Sequence, residues 1–223
     1  MSAPATRRSV IRNCIGVGVA VGAYGFAFGA ASVSSGLSTL QTCLLSLLAF
    51  TGGTQFAVVG VVAGGGTLAA ALGSGLLLGS RNALYAMRLA PLLQVRGAKR
   101  LVAALGTIDE STAMAIGQRE PGLARTAFWW TFASVFTMWN LSTLLGAVGA
   151  SALGDPSTFG LDAVIPAAFL ALLAPRLRDG RIERRVAIGG AVIAAALIPI
   201  TPAGVPVLAA TAALLLATRM ERA

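Results

Sequence analysis

Five ionisable side chains interrupt apolar stretches and are the residues most able to do chemistry here: Arg81, Arg88, Asp109, Glu110 and Asp162. Arg81 stands within residues 73–93, an apolar run long enough to enter a bilayer. Its guanidinium stays protonated at any physiological pH. Arginine at the centre of a membrane helix costs about 2.5 to 3.5 kcal/mol even on the mildest scale, so it requires an anionic partner, backbone carbonyls or a wet cavity. Arg88 lies two turns on, near Pro91 and the polar run after Leu93, where its methylene stem can carry the charge to the headgroups. Burial and a neighbouring arginine both retune a carboxylate, so Asp109, Glu110 or Asp162 beside Arg81 would suit proton exchange, as a proton-coupled carrier requires. Arg81 could equally grip a substrate carboxylate bidentately. A purely structural ion pair is the third alternative.

A second polar feature falls within residues 37–63, where Thr51-Gly52-Gly53-Thr54-Gln55 interrupts an apolar segment. Each glycine weakens a helix by about 1 kcal/mol, and a break would free backbone amides and carbonyls. Such a break is tolerated only inside protein or beside a cavity. Discontinuous helices of this kind commonly hold substrate in secondary transporters. The alternative is that neighbouring helices satisfy these polar groups with no substrate involved. The first apolar run carries Gly16, Gly18, Gly22, Gly25 and Gly29. They read either as a helix-packing face or as a helix able to unwind near Tyr24-Gly25 and expose carbonyls.

The elements that must position these groups belong in a membrane. Of 223 residues, 56% are hydrophobic and 11% charged, against about 25% charged in soluble domains. Mean hydropathy is +0.81. The net charge of +9 does not point to nucleic acid, because the basic residues cluster beside apolar runs in the positive-inside pattern. Arg7, Arg8 and Arg12 precede the first run, five arginines fall between 176 and 185, and Arg219 and Arg222 lie at the C-terminal end. Cys14 and Cys43 lack CxxC spacing and read as packing residues. There is no histidine, and neither a metal site nor a cofactor is expected.

The chain divides into a basic cytoplasmic tail at 1–13, expected to be disordered, a transmembrane domain at 14–218 and a short basic tail at 219–223. The apolar segments are 14–33, 37–63, 68–93 with Thr67 as its cap, 101–117, 124–153, 161–174, 186–200 and 204–218. With every segment crossing, Arg96, Lys99 and Arg100 fall outside; with 37–63 and 101–117 re-entrant, six crossings keep all basic loops inside. The segment at 101–117 is shorter than the roughly 20 residues a comfortable span needs. Trp129 and Trp130 suit an interfacial belt, while Asn140 lies too deep and needs an interhelical partner. Pro199, Pro202 and Pro206 predict a hairpin or break. The fold class is therefore an all-α polytopic bundle with broken or re-entrant helices. A likeness of 36–50 to 160–175 hints at an internal repeat.

Taken in order, YGFAFG at 24–29, FTGGTQF at 50–56, SRNALYAMRLAP at 80–91, TIDESTAMA at 107–115, GLDAVIPAAFLALL at 160–173 and ITPAGVP at 200–206 make the chain resemble the AzlC family, the large subunit of bacterial branched-chain amino acid exporters. The resemblance implies proton-driven efflux of valine, leucine, isoleucine and also methionine across the bacterial inner membrane, with a small AzlD-type membrane subunit as partner; a homo-oligomer is compatible with it. Taken with the polar features above, it makes Tyr24, Thr51, Gly52, Gly53, Thr54, Gln55, Arg81, Asn82 and Tyr85 the expected substrate contacts and Asp109, Glu110 and Asp162 the expected proton-coupling groups. Family members often carry histidine where this chain has Asn82, so any proton relay would fall to the carboxylates.

Other classes fit less well. An intramembrane serine protease wants a Ser-His pair, and an aspartyl protease wants two carboxylates at one site; histidine is absent and no GxGD occurs. Enzymatic activity is not expected, and the lack of GxxxxGK[ST] argues against an ATP site. A passive channel or a structural membrane subunit is the remaining alternative.

Overall fold

A computed structural model describes residues 6–152, 164–202 and 204–215; Asp162, the 154–160 turn and the start of the second repeat candidate lie outside them. Two long helices form the spine. α1 (Arg7–Ser34) and α8 (Pro121–Ala152) are each apolar and long enough to cross a membrane. At 1.5 Å per residue they reach about 42 and 48 Å, more than the ~30 Å hydrocarbon layer. They pack along their length, and glycines make the approach possible. A Cβ on Gly18, Gly22, Gly25 or Gly29 would collide with Ser134, Met138, Trp139 or Thr143 of α8, and one on Gly146 would collide with Phe26. The glycine stripe is thus a packing face, as small residues commonly are between membrane helices. α1 runs unbroken through Tyr24-Gly25, so the unwinding alternative is not what the chain does here. Its first turn also extends further than the sequence reading. Thr6 and Ser9 form a reciprocal capping box at 3.1 and 3.2 Å, so the basic tail is helical from Arg7.

Between these two helices the chain proceeds in shorter pieces: α2 (Thr39–Leu48), α3 (Gly53–Ala63), α4 (Leu68–Gly79), α5 (Arg81–Leu93), α6 (Lys99–Leu105) and α7 (Asp109–Ile116). Ser38 and Gln41 cap α2 reciprocally, and Thr67 caps α4. The break between α2 and α3 falls at Ala49–Gly52, where Gly52 takes φ +51, a conformation open chiefly to glycine. The other two interruptions correct the sequence reading. Residues 68–93 are not one continuous helix: Ser80 interrupts it after Gly79, with the Ser80 hydroxyl donating to the Leu77 carbonyl at 2.6 Å and competing with the helical ladder. Residues 101–117 are likewise two helices. Gly106, Thr107 and Ile108 separate them, and Asp109-Glu110 open α7, where carboxylates favour the positive end of the helix dipole.

After the undescribed turn come α9 (Val164–Asp179), α10 (Arg181–Leu197) and α11 (Val205–Ala210), which a 3₁₀ turn at Thr211–Ala213 continues. The arginine-rich stretch at 176–185 is helical on both sides of Gly180 rather than a loop, because arginine is a good helix former and only the glycine interrupts. The proline-rich turn after Leu197 folds α11 back onto α10, the expected hairpin. Among the described residues the result is an all-α membrane bundle of whole and broken helices. Its core joins Phe28 of α1, Phe56 and Val59 of α3 and Trp139 of α8, with Phe50 and Ile108 from two breaks. Phe28 stacks on Trp139 with centroids 6.0 Å apart and meets Phe56 edge-on at 5.5 Å. Leu68, Leu72, Leu76, Leu141 and Leu145 are exposed, as an outward lipid face requires.

Candidate functional site

The start of α3, the junction of α4 with α5 and the start of α7 meet at one place. Arg81, the first residue of α5, donates from Nη2 to Asp109 Oδ2 at 2.9 Å, with the two side chains 38% and 44% exposed. Arg81 therefore meets a carboxylate from α7 at a partly open site. A Cβ on Gly53 would lie 3.5 Å from that same Nη2, so the guanidinium rests against the opening turn of α3. Glycine leaves room there that a larger side chain would fill. The adjoining contacts close the ring: a Cβ on Gly52 would be 3.7 Å from the Trp139 ring, and one on Gly79 would be 3.7 Å from Thr54 Oγ1.

Around this junction several buried polar atoms have no hydrogen-bond partner among the described residues: Thr51 Oγ1, Thr54 Oγ1, Arg81 Nε, Asn82 Oδ1 and Trp139 Nε1. Leaving such a group unmade costs about 1–3 kcal/mol each, so a cluster of them marks a place suited to polar company. Gln55 behaves differently. Fully buried, it accepts from the Gly52 amide at 3.1 Å and donates to the Leu45 carbonyl at 3.4 Å. Both ends of its amide hold the break in shape, which makes it a positioning residue.

The remaining sequence candidates sit as follows. Asn82 and Tyr85 follow Arg81 on α5 and are half-buried, Glu110 is half-buried beside Asp109, and Tyr24 lies on α1 at 49% exposure. Arg88 is exposed further along α5, as a snorkelling side chain would be. Asn140 has the interhelical partner its depth demands, since Ser46 of α2 donates to Oδ1 at 2.7 Å. Cys14 is a buried packing residue whose thiol donates to the Ala127 carbonyl at 3.5 Å. Trp130 is exposed enough for the aromatic belt, while Trp129 packs against Phe128. Sequence reasoning missed Trp139 as a wall of the site, along with the unpartnered hydroxyls of Ser74 and Thr112. The serine flanked by Gly73 and Gly75 in an apolar helix was the available signal for Ser74. No cluster of metal-ligating residues occurs among the described residues.

Comparison with known proteins places the chain in a family. The family described as AzlC protein matches residues 16–153, a stretch that takes in most of α1, all of α2 to α8 and every part of the junction. A protein of Escherichia coli (strain K12) named Inner membrane protein YgaZ is 27% identical over 156 residues, covering 66% of this chain and 64% of the relative. The match thus spans just under two thirds of that relative's length. An uncharacterized membrane protein of Archaeoglobus fulgidus is 29% identical over 182 residues, 81% of this chain and 80% of the relative. No solved structure matches the chain.

Proposed function

Because the chain belongs to the AzlC family, we propose that it is a multi-pass secondary transporter of the bacterial inner membrane. It exports branched-chain amino acids, with methionine as a further substrate, as the large subunit of a two-component exporter. The observation that carries the reading is the Arg81–Asp109 pair lying against the Gly52-Gly53 break. Arg81 is the group that meets the substrate carboxylate, and the opening amides of α3, at the positive end of its dipole, add to the attraction. Thr51, Thr54 and Asn82 supply further polar contacts, and Trp139 with Phe28 and Phe56 offers apolar surface to a branched side chain. Burial there is worth about 25 cal/mol per Å². Tyr24 and Tyr85 complete the set.

Coupling follows from competition for one carboxylate. Ionised, Asp109 takes the ammonium group of the amino acid while its neighbour Arg81 meets the substrate carboxylate. A proton bound at Asp109 from the outer side displaces that ammonium group, so proton and amino acid exclude one another and move in opposite directions. Glu110, next to Asp109, extends the proton path, and Asp162 is assigned to the same role from the sequence alone. A small AzlD-type subunit and the bilayer are the partners.

Counterflow tests the proposal. Vesicles holding the chain, with and without the small subunit, and preloaded with valine should take up labelled valine transiently. Arg81→Gln should abolish this while the protein remains inserted. Downhill flux without counterflow would identify a passive channel, and no flux with either composition would leave a structural subunit.

A further inference from the structure

A second feature lies apart from the substrate junction. A groove of about 720 Å³ runs between α5 and α6, walled by Leu89, Leu93, Ala103 and Thr107 and rimmed by Arg96 and Arg100. Its wall is mainly aliphatic, with Gln94 and Thr107 among its polar members, and its rim is cationic. The Arg100 Nε donates to the Val95 carbonyl at 3.1 Å, which holds that guanidinium at the rim, and among the described residues neither arginine has a carboxylate in ion-pairing range. Lys99 adds a third positive charge beside them. The surface around the groove is what a bilayer would cover: Leu84, Met87 and Leu101 are between 62% and 76% exposed. Arg125 of α8 donates to the Leu92 carbonyl at 2.8 Å and to Gln94 Oε1 at 2.9 Å, so the end of α5 that forms the rim is tied in place.

We propose that this groove is a binding site for one anionic phospholipid, with its phosphate on Arg96 and Arg100 and an acyl chain along the α5–α6 wall. Two guanidinium groups can share a phosphate through charge-assisted hydrogen bonds, and basic pockets between membrane helices take anionic headgroups. Apolar contact with the wall distinguishes a lipid from any soluble phosphate that the same arginines would attract.

The test uses the full chain, delipidated in detergent and titrated with phosphatidylglycerol or phosphatidylcholine, with retained lipid counted by native mass spectrometry. Phosphatidylglycerol should be retained in preference to phosphatidylcholine. Arg96→Gln with Arg100→Gln should weaken that retention about thirtyfold, the effect of two basic charges near the surface. Arg7→Gln with Arg8→Gln, at the start of α1 and outside the groove's lining, should leave it unchanged. Ala104→Phe, which narrows the groove with both arginines intact, should weaken retention as well, and it keeps the test decisive if the double arginine variant does not fold. Equal retention of the two lipids, or equal loss from the control, would overturn the proposal. So would displacement by inorganic phosphate or by the water-soluble headgroup at the concentrations where the intact lipid binds.

Discussion

Replacing Asp109 by asparagine should leave Arg81 charged and unpaired beside α3, and the cost can be sized from the geometry. The two groups meet at 2.9 Å with 38% and 44% of their side chains exposed. Fully exposed pairs are worth about 0.2–1 kcal/mol, and breaking a buried pair costs about 3–5 kcal/mol. Partial exposure lets solvent screen this pair, which places its coupling near 2 kcal/mol, or about thirtyfold. A double-mutant cycle isolates that quantity. Arg81→Gln and Asp109→Asn should each lower the detergent melting temperature by several degrees. The double variant should lose little more than either single, because removing the second charge also removes the orphan. Valine counterflow measured on the same preparations should be absent wherever Arg81 is replaced. Additive losses in the double variant, or singles that melt with the parent chain, would refute the coupling and with it the Arg81–Asp109 pair on which transport is proposed to depend.

Gly29→Leu should prevent α1 from meeting α8 at Thr143 and Ala147, costing more than about 3 kcal/mol by overpacking and giving heterogeneous protein on size exclusion. Gly16→Ala, with open space around it, should be neutral or stabilise by up to about 1 kcal/mol. Ser46→Ala should remove the bond to Asn140 at a cost of about 1 kcal/mol in unfolding measurements. Gln55→Leu should lose both contacts that hold the break, lowering valine counterflow while membrane insertion is retained; Gln55→Glu keeps the acceptor for Gly52 and should recover part of the activity.

Features that rest on local physics were legible in the chain. The Gly52-Gly53 interruption follows from helix propensity, and the need of Asn140 for a partner follows from the cost of an unpaired amide in an apolar layer. The need of Arg81 for an anionic partner, carbonyls or a wet cavity was legible on the same ground. Less visible were the breaks at Ser80 and at residues 106–108. Each involves residues that a helix accepts elsewhere, and only the competing bonds of Ser80 and Ser111 tip the balance. The arginines at 176–185 read as a loop by analogy with charged loops between spans, although their own propensity is helical.

The sequence by itself determined the solvent for which this protein is built, the family to which it belongs and the presence of a permanent cation in an apolar run. Those follow from composition and from residue order. Which carboxylate answers Arg81 was not determined, since Asp109, Glu110 and Asp162 are equivalent in kind and differ only in where the chain carries them. Of the two carboxylates that the structure describes, Asp109 and Glu110, tertiary structure set Asp109 on Arg81 by opening α7 next to α5. It also made Gln55 a brace and Trp139 a wall, because a side chain's role depends on the neighbours that folding brings within a few ångströms.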